Sequence, residues 1–93
     1  MTGPRVRRRV VVSGRVQGVG FRAATRSQAE ARGVAGWVRN RADGSLEAAF
    51  EGDPEAVEAI IGFCRKGPPL ARVAAVEVSE EPSEGLLRFE FRR

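Results

Sequence analysis

The alternation of apolar and polar positions divides the chain into short strands interrupted by two helical stretches. Val10-Val11-Val12 centre a strand over Arg8 to Ser13, and a glycine-punctuated turn follows from Gly14 to Gly20. Phe21 to about Arg32 is rich in helix formers, including Ala23, Ala24, Ala29, Glu30 and Ala31, and Gly33 is a natural helix stop. Val34 to Arg41 returns to strand character around Trp37 and Val38, and Ala42-Asp43-Gly44-Ser45 turns the chain. Leu46, Ala48 and Phe50 then alternate with Glu47, Ala49 and Glu51, so a third strand pairs back on the second. Asp53-Pro54-Glu55 starts a second helix, with Asp53 as N-cap and Pro54 at the first helical position. Val57, Ile60, Ile61 and Cys64 share one face of it, and Gly67-Pro68-Pro69 ends it. Val76 and Val78, and later Leu87, Phe89 and Phe91, alternate with polar residues on either side of a polar turn near Pro82 to Gly85.

The order strand, helix, strand, strand, helix, strand, with an extra terminal strand, predicts an α+β fold. Its simplest packing is a ferredoxin-like βαββαβ sandwich, an antiparallel sheet with two helices on one face. The 93 residues suffice for one small domain over 1–93, with residues 1–5 as a frayed tail because Gly3 and Pro4 oppose regular structure. No linker, repeat or low-complexity segment divides it.

Composition narrows the chemistry. With 42% hydrophobic and 30% charged residues the chain reads as an ordinary globular protein, and no run approaches the ~20 apolar residues of a membrane-spanning helix. The N-terminus lacks the apolar block of a secretory signal, so the expected location is the cytoplasm. Cys64 is the only cysteine and stands among Ile60, Ile61 and Phe63, which marks it as a buried structural thiol. There is no histidine, which removes the usual general base and the usual transition-metal ligand together. Any catalysis must then work by electrostatics and positioning. The net charge of +4, with Lys66 the only lysine, favours an anionic ligand. Arg7-Arg8-Arg9 reads as solvated charge guarding a strand edge.

Gly14-Arg15-Val16-Gln17-Gly18-Val19-Gly20-Phe21-Arg22 is the stretch with the clearest chemical content. Glycines let the backbone curl with its N–H groups inward, and a helix start leaves further N–H groups unpaired. Such a turn is an anion receptor, and Arg22 can add a planar two-pronged donor to a phosphate held there. The spacing is neither that of the P-loop nor that of the dinucleotide fingerprint, and many glycine turns only redirect the chain. A second cluster, Gly36-Trp37-Val38-Arg39-Asn40 with Gly44-Ser45-Leu46-Glu47, holds the only asparagine. By strand periodicity Asn40 shares a face with Val34 and Val38, where a carboxamide needs partners, although asparagine also simply ends strands. Thr25, one helical turn beyond Arg22, could support the same site, but reads more simply as a surface or back-bonded threonine.

Together these two clusters, with Gly67-Pro68-Pro69-Leu70-Ala71-Arg72-Val73, closely resemble the acylphosphatase family over nearly the whole chain. The family usually carries an aromatic residue where Ala23 or Ala24 stands here, a departure that bears on the pocket walls. The resemblance implies hydrolysis of the carboxyl-phosphate bond of acyl phosphates to a carboxylate and inorganic phosphate, without metal or organic cofactor, by a monomer. It assigns phosphate binding to Arg22, orientation of the attacking water to Asn40, and a cradle of backbone N–H groups to Gln17, Gly18, Val19, Gly20 and Phe21. Two other readings stay open. An RNA-recognition module shares this element order, but stacks bases on exposed aromatics of its central strands, where this chain offers Val10-Val11-Val12 and Phe50. Acylphosphatase-like domains that handle carbamoyl phosphate or sense ligands inside larger maturation proteins share the fold as well.

Overall fold

The computed structural model of the protein describes residues 4–93, so residues 1–3 of the expected frayed tail lie outside the described residues. Seven elements follow in order: β1 (Val6–Arg15), α1 (Phe21–Arg32), β2 (Ala35–Asn40), β3 (Leu46–Gly52), α2 (Pro54–Lys66), β4 (Arg72–Glu81) and β5 (Phe89–Phe91). They build one five-stranded sheet in the order β4-β1-β3-β2-β5, with both helices packed against it. This is the ferredoxin-like α+β sandwich that the element order predicts, with β1 and β3 at its centre.

The sheet is mixed, not wholly antiparallel. β1–β3, β1–β4 and β2–β3 are antiparallel, but β5 runs parallel to β2, with Gly36 opposite Phe89 and Val38 opposite Phe91. Polar residues near 82–85 therefore do not close a hairpin. They begin a connection from one edge of the sheet to the other, because β4 and β5 lie on opposite edges. Backbone bonds from Gly36 N–H to Arg88 O (3.0 Å) and from Arg92 N–H to Val38 O (2.9 Å) fix the parallel register. Gly36 also allows β2 a close approach to β3 on its other side. Its φ is +138°, and a Cβ there would stand 1.8 Å from Ala49 O.

The core lies between sheet and helices. Val10, Val12, Leu46, Ala48 and Phe50 meet Val57, Ile60, Ile61 and Cys64 of α2, as the apolar faces predict. Burying each large side chain among them contributes about 1.5–3 kcal/mol. Phe89 joins this core by stacking on Phe50 with ring centroids 5.9 Å apart, whereas Leu87 lies outside the strand and is exposed. α1 ends at Gly33 in the left-handed conformation, with the Val34 N–H bonded to Ala29 O at 2.9 Å. Asp53 occupies the N-cap of α2, but its side chain makes no capping bond there.

The opposite face of the sheet is ionic. Glu47 and Glu51 of β3 are buried there, although strand alternation alone would leave them to solvent. Arg39 Nε donates to Glu47 at 2.6 Å and Arg9 pairs with the same carboxylate. Arg7 is also buried, paired with Glu81 at 2.9 Å and Glu51 at 3.5 Å. The Arg7-Arg8-Arg9 run thus guards no edge. β1 is an interior strand, and its arginines answer the carboxylates of the strands beside it. Among the described residues no helix is long and apolar enough to cross a membrane.

Candidate active site

β1 carries a bulge between Ser13 and Gly14, stays paired with β4 as far as Arg15 opposite Arg72, and the next residues curl into the start of α1. Val16 is buried and pins this turn to the core. Gly18 and Gly20 then take left-handed conformations, φ +73° and +81°, with open space where a Cβ would stand. Backbone conformation, not crowding, is what requires glycine here.

Gly20 is also the N-cap of α1, and with no side chain it makes no capping bond. The first turn contains no acidic residue, so the positive end of the helix dipole is uncompensated. α2 differs, with Glu55 in its first turn. A helix start left bare in this way attracts an anion.

A cavity of about 250 Å³ opens at this point, lined by Val16, Gly18, Gly20, Phe21, Arg22, Ala23, Asn40 and Phe91. The two motifs, 18 residues apart at Arg22 and Asn40, share its wall. Arg22 is exposed, and Asn40, the last residue of β2, is half-buried. Asn40 Oδ1 is buried and has no hydrogen-bond partner among the described residues. A buried carbonyl oxygen without a donor costs about 1–3 kcal/mol. Asn40 itself lines the cavity, and its oxygen is free to accept a hydrogen bond.

The remaining loop residues stand behind this lining. Gln17 and Val19 do not line the cavity: Val19 packs against the core, and Gln17 Nε2 donates to Arg41 O at 2.8 Å and to Ser45 O at 3.0 Å. Those two carbonyls bracket the hairpin between β2 and β3, itself closed by Arg41 N–H to Ser45 O at 2.8 Å. Gln17 therefore ties the anion-receptor turn to the strand end that carries Asn40. Phe21 is buried, packed edge-on against Phe63 with centroids 6.0 Å apart, which sets the start of α1 on α2.

Thr25 is fully buried, with its hydroxyl beside the Cys64 thiol and no backbone acceptor, so it is neither a surface nor a back-bonded threonine. Burial pushes the Cys64 thiol up to about 12, which keeps it protonated and structural. Ala23 lines the cavity where a larger side chain would narrow it. Phe91 is a cavity residue that the sequence pattern placed only in the terminal strand. Its place in the site depends on the parallel pairing of β5 with β2, for which local periodicity carries no signal. Among the described residues no three histidine, cysteine, aspartate or glutamate side chains cluster to hold a metal ion.

Comparison with known proteins bears on the family and the fold. The model of the family described as Acylphosphatase matches residues 8–91. Curated acylphosphatases of Gloeobacter violaceus and Thermococcus kodakarensis are 57% and 58% identical to the chain; the first match covers 95% of both chains, the second 91% of this chain and 93% of its relative. The crystal structure of acylphosphatase from Bacillus subtilis superposes with a TM-score of 0.91 at 39% identity, over 95% of this chain and 99% of that one.

Proposed function

Because the chain belongs to the acylphosphatase family and hydrolyses the carboxyl-phosphate bond of acyl phosphates, we propose that this reaction takes place in the cavity between the start of α1 and the end of β2. The phosphoryl oxygens lie against the backbone N–H groups of the turn from Gln17 to Phe21. There they meet the bare positive end of α1, and the Arg22 guanidinium donates from the side. Asn40 Oδ1 accepts a hydrogen bond from the attacking water and aims it at phosphorus. One observation carries this reading: the only asparagine of the chain keeps a buried, unpartnered carbonyl oxygen on the wall that Arg22 shares.

Water adds to phosphorus as the bond from phosphorus to the carboxyl oxygen breaks. The electron pair of that bond leaves with the carboxylate, and the proton lost by the water passes to phosphate or solvent. A carboxylic acid of pKa near ~4 leaves as the stable anion at neutral pH, so no general acid is required. The loose transition state of phosphoryl transfer asks mainly for charge stabilisation and alignment, which a histidine-free site can supply. The mechanism needs no metal or organic cofactor, and phosphate release from benzoyl phosphate should persist in EDTA.

Replacing Arg22 by Ala should weaken inhibition by inorganic phosphate about 10- to 100-fold, and Arg22→Lys should recover little of it because the fork geometry is lost. Asn40→Ala should lower kcat about 10²–10³-fold while leaving phosphate inhibition within about threefold. Near-normal turnover in Asn40→Ala would remove the residue from the mechanism.

RNA binding gains no support from the side chains. Phe50 is fully buried against Phe89, and the open faces of β1 and β3 are occupied by ion pairs. We further place the protein in the cytoplasm as a monomer, in keeping with a single buried thiol and small-molecule chemistry. Gel filtration at assay concentration checks the monomer.

A further inference from the structure

Among the described residues Arg22 lines the cavity without an ion pair. Arg26, four residues on, pairs with Glu30 at 3.2 Å, and Arg7, Arg9, Arg39 and Arg41 each have a carboxylate partner. Among the described residues the Arg22 guanidinium has neither a carboxylate nor a hydrogen-bond acceptor. It rests over the ring of Phe91, 5.9 Å from the centroid.

A carboxylate partner would hold Arg22 still, but would occupy the donors that a phosphate needs and set a negative charge beside the ligand. An aromatic face holds a guanidinium through its quadrupole while leaving the planar N–H edge free. Phe91 is well placed to do this. It lies opposite Val38 in the β2–β5 ladder, two residues before Asn40 along β2, and its ring lines the cavity while remaining 45% exposed. Arg26 lies over the same ring at 5.1 Å, so a second guanidinium limits where Arg22 can settle.

We infer that Phe91 is a positioning residue for Arg22, parking the guanidinium on its ring with the hydrogen-bonding edge free for phosphate. Its role rests on reading the cavity as the phosphate site. The last strand thus completes a site whose other parts come from the first half of the chain.

Calorimetry with inorganic phosphate on the full chain, compared among Phe91, Phe91→Tyr, Phe91→Leu and Phe91→Ala, tests this independently of turnover. Tyrosine should keep phosphate affinity within about twofold, whereas leucine and alanine should each weaken it about two- to fivefold, the range of an exposed cation–π contact. With benzoyl phosphate as substrate the loss should fall on KM more than on kcat. Leucine keeps an apolar side chain in β5, and melting temperature checks that it folds. A folded Phe91→Leu that binds phosphate as well as the parent overturns the role of the ring alone. A parent protein that binds no phosphate overturns the cavity reading and this role with it. Loss of turnover in Asn40→Ala with unchanged phosphate binding bears on water alignment and leaves the ranking of the Phe91 variants as the measure of the ring.

Discussion

Asn40 and Gln17 have similar side chains and opposite fates. Gln17 satisfies its amide on Arg41 O and Ser45 O and so becomes a strut, while Asn40 keeps its oxygen unsatisfied and so becomes available to a ligand. The difference lies in what surrounds each amide, not in the amide itself. The same holds for Cys64, whose burial raises its pKa to about 12 and removes it from chemistry at neutral pH. In the folded protein Cys64 should react with a thiol reagent at least ~10²-fold more slowly than in urea. Labelling at the free-cysteine rate under native conditions would show that α2 opens readily. That Arg22, Asn40 and the glycine turn before Arg22 share one cavity follows the two motifs that the sequence singled out through their family resemblance. Phe91 was not legible there, because an aromatic in an alternating run signals a strand and nothing about what lies across from it.

Among the elements, β5 depends most on contacts made elsewhere. It has three residues and is held on one side only, by β2. The segment leading to it is fixed by Glu51, whose carboxylate accepts the N–H groups of Glu84, Gly85 and Leu86 at 2.8, 2.7 and 3.0 Å. Burial pushes the Glu51 carboxyl up, but these three donors, with Arg5, outweigh it and hold the group below the usual carboxylate range. Glu51→Gln replaces an acceptor-only group with one that also carries donors, and leaves Arg7 less well paired. A loss of about 3 kcal/mol is expected, with faster amide exchange at Glu84, Gly85 and Leu86. If exchange there is unchanged, the anchoring of β5 lies elsewhere. Because β5 carries Phe91, phosphate affinity should fall in this variant by no more than in Phe91→Ala. The helices and the β2–β3 hairpin follow local rules, with Gly33 and Pro54 marking boundaries that local chemistry can set. The partner of β5 follows no such rule, since an apolar alternation fits either edge of a sheet.

For the whole molecule, the ionic face links sequence-distant strands through carboxylates held below their usual range. Glu47 is pushed up by burial, then brought lower overall by Arg39 and Arg9; Glu81 is held down by Arg7, against a smaller burial effect. With Glu51 these are three groups whose folded pKa lies below the unfolded value of about 4.3. Their stabilisation is therefore complete above that value and is lost as pH falls through the folded values, where each bound proton adds about 1.4 kcal/mol per pH unit to the slope. With no histidine in the chain, urea unfolding should give nearly constant stability from pH 8 to 5 and a steep fall below about pH 4. A decline that begins near pH 6 would contradict this account.

By itself the sequence determined the elements and the helix-covered core, which follow from periodicity and backbone conformation within a few residues, and its motifs, through the family resemblance, pointed to the glycine turn, Arg22 and Asn40 as the proposed site. Only the tertiary structure decided that Glu47, Glu51 and Arg7 are buried together, that β5 runs parallel to β2, and that Phe91 reaches Arg22. Each of these depends on which strands become neighbours. That choice is settled by the burial and pairing of the whole sheet, and an alternating stretch read alone is compatible with more than one neighbour.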